Sequence, residues 1–212
     1  MATGSRLSAS QTIPPSAMRL PRVAVFFACL FPLAWMAWQG LYTADGLGAN
    51  PIEEITHRTG DWTLRFLLLT LLASPLRRIT GWEWPFRLRR MLGLYAFFYG
   101  TLHLFTYLWL DQFFDWMQIV KDIYKRPFIN VGFISYVLMI PLALTSTAGM
   151  MRRMGVQWAR LHRAIYVTAI LGVLHYWWLV KADVRDPAFY AALLALLLGL
   201  RVYWMLRWKL RG

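Results

Sequence analysis

Three of the four histidines in this 212-residue chain stand in or at the edge of long apolar runs. His103 lies within Met91–Leu110, His175 within Ala164–Val180, and His162 just before the second of these. Counted from the arginine-rich end of its run, each of His103 and His175 is about a dozen residues in, which sets them at one depth on helices of equal rise. Two imidazoles at one depth on different helices can clamp a metal centre between them. In an apolar bundle that centre reads as a haem, with one axial ligand on each face of the iron. Bis-histidine iron suits electron transfer better than oxygen binding. Ionisable side chains at such depth are uncommon and mark function. For either histidine taken alone, the other reading is an imidazole hydrogen-bonded to a neighbouring helix.

The elements that must carry these residues are membrane helices. The chain is 58% hydrophobic and 17% aromatic, with 12 Trp and a mean hydropathy of +0.43. A soluble domain of this length has no need of so much apolar surface. Six stretches approach the roughly 20 residues that cross a bilayer: Val23–Tyr42, Trp62–Leu76, Met91–Leu110, Val131–Ala148, Ala164–Val180 and Phe189–Leu206. The expected fold is all-α, a six-helix polytopic bundle without internal repeats. Residues 1–17 read as a disordered tail and 18–212 as one domain, with the first apolar run retained as a span rather than cleaved. Asn50–Asp61 reads as a loop. Asp111–Pro127 has Phe113, Trp116, Met117, Val120, Ile123 and Tyr124 at helical spacing, an amphipathic segment that either caps the bundle or docks a partner.

The net charge of +13 follows topology. With loops assigned to alternate sides, one side holds 15 Arg and Lys, among them Arg77, Arg78, Arg87, Arg89, Arg90, Arg152 and Arg153, against Glu83 alone. The other holds six basic residues against nine acids. By the positive-inside rule both termini are cytoplasmic and the acidic loops face outward. This pattern argues against nucleic-acid binding. The lone Cys29, inside the first apolar run, permits no intrachain disulfide.

His162 precedes His175 by about 20 Å of helix, so the two cannot share one metal. On a straight helix their side chains also diverge by roughly 140°, so both face one neighbour only where the helix bends or rewinds. A second, inner haem would need a partner near Arg89 or Arg90, which are not ordinary ligands. His162 therefore either holds an inner haem of unusual ligation, contacts a flavin, a quinone or haem propionates, or is structural. The arginine cluster suits anionic groups such as a flavin phosphate, since guanidinium binds them bidentately. His57 reads as a solvated loop histidine, with partner contact or proton release as the other reading. No phosphate loop, CxxC pair or nucleophile triad appears, so the chain reads as an electron conduit without a substrate-activating site of its own.

Several strings carry a family resemblance. They are Gly46-Leu47-Gly48-Ala49-Asn50-Pro51, Arg89-Arg90-Met91-Leu92-Gly93-Leu94 leading to Thr101-Leu102-His103, Leu144-Thr145-Ser146-Thr147, Trp158-Ala159-Arg160-Leu161-His162-Arg163 with Tyr166, and Leu174-His175-Tyr176. In this order and spacing the chain resembles the MsrQ (YedZ) family of the ferric reductase-like transmembrane superfamily. The resemblance implies haem b, FMN, and transfer of electrons across the bacterial inner membrane to a periplasmic molybdenum-cofactor reductase of the MsrP type, which repairs methionine sulfoxide in damaged proteins. It implies the quinone pool or a cytosolic flavin reductase as donor. In the superfamily two histidines on each of two helices hold two haems; here arginine stands where the third span should carry its inner histidine. Two rival readings remain: a stand-alone ferric or quinone reductase, and a membrane scaffold or transporter with structural histidines.

Overall fold

The computed structural model describes residues 19–43, 46–180 and 182–210; the tail expected to be disordered lies outside them. The described residues are all-helical: α1 Arg19–Tyr42, α2 Pro51–Thr80, α3 Glu83–Phe105 continued by a π-helical turn Thr106–Asp111, α4 Trp116–Lys125, α5 Pro127–Leu144, α6 Ala148–Met154, α7 Val156–Leu161, α8 Ala164–Leu179 and α9 Arg185–Lys209.

Four of these are long and apolar enough to cross a membrane: Leu20–Tyr42, Glu83–Asp111, Pro127–Leu144 and Arg185–Lys209. The expectation of six is met in part. At 16 residues α8 is short. The 30 residues of α2 suffice in length, but Glu53, Glu54, Arg58, Asp61 and Arg65 dilute its apolar run. Apolar side chains also point outward from α1, as with Phe27 and Phe31, each 63% exposed. That is the pattern of helices solvated by lipid.

The expectation of a loop at Asn50–Asp61 is corrected, because α2 begins at Pro51. Asn50 accepts the backbone N–H of Glu53 at 3.4 Å, proline takes the first helical position, and two acids occupy the first turn. Together these form a helix start that hydropathy alone passes over. His57 is accordingly an exposed helical residue. The other end of α2 stops at Gly81, in the left-handed region at φ 75°, with its N–H on the carbonyl of Arg77, and the chain turns back into α3.

The helix α2 is the hub. Leu64, Leu68 and Leu71 pack with Ala169 and Val173 of α8 and Tyr190, Leu194 and Leu197 of α9. Phe66 and Leu67 pack with Cys29 of α1, Tyr95, Ala96 and Tyr99 of α3 and Met139 of α5. Its largest interface is with α3, and α5 pairs similarly with α8.

At Pro32 a polar side chain from a neighbouring helix reaches the main chain. Pro32 stands inside α1, and beside it the Tyr99 hydroxyl accepts Leu33 N–H at 3.2 Å and donates to Cys29 C=O at 2.9 Å. The tyrosine thereby supplies a polar partner to both groups of the Leu33/Cys29 pair next to the proline. In α4, Ile119 and Asp122 are buried while Trp116, Met117, Val120 and Tyr124 are exposed. The amphipathic helix expected there forms, with its aromatic surface outward.

Candidate metal centre

The histidines His103 and His175 meet in the bundle. Their ring centres are 6.1 Å apart and the rings nearly perpendicular, at 78°. The α2–α3 hairpin delivers the first and the α5–α8 hairpin the second.

Each ring is tied to the helix that pairs with its own. His103 Nδ1 lies 2.9 Å from the carbonyl oxygen of Thr56 on α2. His175 Nδ1 lies 2.7 Å from that of Phe128 on α5. A carbonyl only accepts, so Nδ1 carries the proton in both, and Nε2 keeps the lone pair a metal needs.

The spacing fits one shared metal atom. A metal–nitrogen bond of about 2.0 Å, plus roughly 1.1 Å from ring nitrogen to ring centre, sets two such imidazoles about 6.2 Å apart. Among the described residues no group of three or more His, Cys, Asp and Glu is placed to hold a bare ion. A set of two nitrogens instead matches a metal whose other positions belong to a macrocycle, as in bis-histidine haem.

At the arginine-rich end the arrangement differs. His162 caps α7 and the chain breaks before α8 resumes at Ala164, the local rewinding that spacing requires if both histidines are to face inward. Its ring stacks on Trp158 at 3.9 Å, and its Nε2 lies 2.9 Å from Thr145 Oγ1. The Thr145 hydroxyl donates to Pro141 C=O at 2.6 Å, so His162 Nε2–H is the donor to it. Thus His162 uses for protein contact the nitrogen that the other two leave free. Burial holds its imidazole below the ordinary histidine range, and the nearby Arg89 charge adds to this.

The side chain of Arg89 lies within electrostatic range of Arg201, Arg77 and Tyr166 and stacks on Phe86. Arg90 is exposed. Arg201, which hydropathy reading passed over, reaches Tyr166 Oη and Leu71 C=O at 2.6 Å each, while its buried Nε has no hydrogen-bond partner. An arginine inside an apolar run is the same signal that singled out the histidines. The structure thus brings His103 and His175 together, sets Arg89 within electrostatic range of His162 and Arg201 at the other end, and leaves Arg90 and His57 at the surface.

Most of the chain is similar to known proteins. Residues 59–173 match the family model described as "Ferric reductase like transmembrane component". Similar proteins include the "Protein-methionine-sulfoxide reductase heme-binding subunit MsrQ" of Xanthomonas campestris pv. campestris (strain 8004), 54% identical over 86% of this chain and 85% of that one. The protein of the same description from Herminiimonas arsenicoxydans is 52% identical over 93% and 90%. That from Ralstonia nicotianae is 51% identical over 94% and 93%. No solved structure matches the chain.

Proposed function

This chain belongs to the ferric reductase-like transmembrane family and, within it, to the MsrQ haem-binding subunits, and from that membership we propose that it is the membrane electron-transfer subunit of a protein-methionine-sulfoxide reductase. Its acceptor is a periplasmic molybdenum-cofactor enzyme of the MsrP type. Its donor is the quinone pool or a cytosolic flavin reductase.

One observation carries the assignment of the site: two imidazoles at the spacing of a shared metal atom, each with Nδ1 fixed by a main-chain carbonyl. Haem b bound there supplies a one-electron carrier. The chain's own work is to hold the protons at Nδ1, to present Nε2, and to keep the rings in an apolar bundle where they cannot turn.

The cationic cluster at the arginine-rich end is the place for anionic groups of a second cofactor, FMN or a further haem. Arg89 and His162 line it, and Arg90 stands at its rim. In this reading α2 and α8 also cross, completing six spans in one domain over residues 18–212, in contact with lipid. The arginine-rich loops and both termini are cytoplasmic in the bacterial inner membrane, and the pair His103/His175 lies toward the periplasm.

A reduced-minus-oxidised visible spectrum of the purified protein tests the assignment. Wild type shows low-spin b-type bands, and His103→Ala and His175→Ala each remove the same component. Either variant retaining a full bis-histidine spectrum overturns it. Reoxidation of the reduced protein by a purified partner reductase, and not by ferric chelates, separates the MsrQ role from that of a stand-alone reductase.

A further inference from the structure

The two histidine seats are built alike, down to the residue. In both hairpins the histidine stands 47 positions after the carbonyl it meets. In both, a glycine follows that carbonyl by one helical turn: Gly60 after Thr56, Gly132 after Phe128. In both, a glycine precedes the histidine in a Gly-x-Leu-His string, Gly100 to His103 and Gly172 to His175. Each of these packs toward a small hydroxyl residue of the facing helix, Gly100 on Thr63 and Gly172 near Ser135. Thr56, Gly60, Thr63, Gly100 and His103 thus map at one constant displacement onto Phe128, Gly132, Ser135, Gly172 and His175. The bundle contains the repeat that the sequence reading did not expect.

The glycine after the carbonyl has a steric reason. A helical C=O points along the axis toward the residue four positions on, and that residue's Cβ stands beside it. A ring that donates to the carbonyl from a neighbouring helix must pass this Cβ. At Gly132 an added Cβ would fall 2.7 Å from His175 Nδ1 and 2.8 Å from Cε1. At Gly60 it would fall 3.1 Å from both Nδ1 and Cε1 of His103. The first contact is impossible without movement, and the second is tight.

We propose that Gly60 and Gly132 are positioning residues for the histidine pair: by lacking a Cβ they let each ring sit back against the partner helix, and so set the 6.1 Å between rings. Gly132 is the stricter of the two.

A stability cycle tests this with a readout other than haem content. Gly132→Ala and Gly60→Ala are compared with Gly93→Ala on α3, where the nearest atom to an added Cβ is 3.7 Å away. In the otherwise native protein Gly132→Ala lowers Tm, Gly60→Ala does so less, and Gly93→Ala does not. In the His175→Ala background, with the ring gone, Gly132→Ala becomes neutral or stabilising. Where Gly132→Ala alone yields no folded protein, recovery of yield in the double variant gives the same answer. An equal penalty in both backgrounds, or none in either, overturns the proposal.

A spectroscopic arm rests on the haem reading above. Gly132→Ala moves the low-spin electron paramagnetic resonance signal and weakens haem retention by about tenfold, while Gly93→Ala moves neither. An unchanged signal in folded Gly132→Ala also overturns the proposal. Wild type without haem would remove the functional reading, and the stability cycle would still decide the seat.

Discussion

Arg201 on α9 donates to the carbonyl of Leu71 on α2 at 2.6 Å, and Leu71 is the residue whose helical donor is missing because Pro75 stands four positions on. In a lipid-solvated bundle a carbonyl released by proline has no water to turn to. A guanidinium from another helix answers it and ties α9 to the hub.

Arg201→Met therefore strands that carbonyl and costs about 1–3 kcal/mol of stability. In a Pro75→Ala background the new N–H at position 75 restores the helical bond, and the penalty of Arg201→Met shrinks. Thermal unfolding of the four proteins in detergent measures the coupling. A penalty independent of residue 75 would show that Arg201 acts through Tyr166 instead.

Tyr99 is fully buried, and its hydroxyl is both acceptor and donor beside Pro32 of α1. Tyr99→Phe leaves Leu33 N–H and Cys29 C=O without it, for a loss of about 1–3 kcal/mol. Hydrogen exchange at residues 29–33 should accelerate more than exchange in α5. Uniform acceleration would mean a general loss of packing.

In the proposed reading His103 and His175 act on one centre, so their losses do not add. The double variant His103→Ala/His175→Ala should retain no less haem than either single variant. Stepwise loss, with half the haem absorbance surviving in each single variant, would assign the two rings to separate centres.

The neutral form of His162 is favoured by the fold, since burial and Arg89 hold its imidazole below the ordinary range. Its folded value lies below its unfolded value of about 6.5. The stability it contributes is present above that pH and is lost as pH falls toward the folded value. Melting temperatures of wild type should drop more steeply below about pH 6.5 than those of His162→Gln. Parallel curves would show that the ring is solvated in the native protein.

Much of the site was legible in sequence because a histidine in an apolar run is itself an anomaly. His103 and His175 needed no partner to be noticed. Gly60 and Gly132 were invisible for the opposite reason: what matters there is a missing atom, and its effect depends on a ring from another helix. The start of α2 was misread because its charges mask the span in hydropathy, although Asn50, Pro51 and Glu53 spell a helix cap. The nearness of His162 to arginine is legible in Arg160 and Arg163 beside it, but its contact with Thr145 depends on the break before α8.

Both seats use peptide oxygens as the acceptor for the ring proton. Every residue type brings that oxygen with it. Drift at positions 56 and 128 can thus exchange one side chain for another and still hand down the same imidazole tautomer, which shelters the histidine pair from the commonest kind of genetic change.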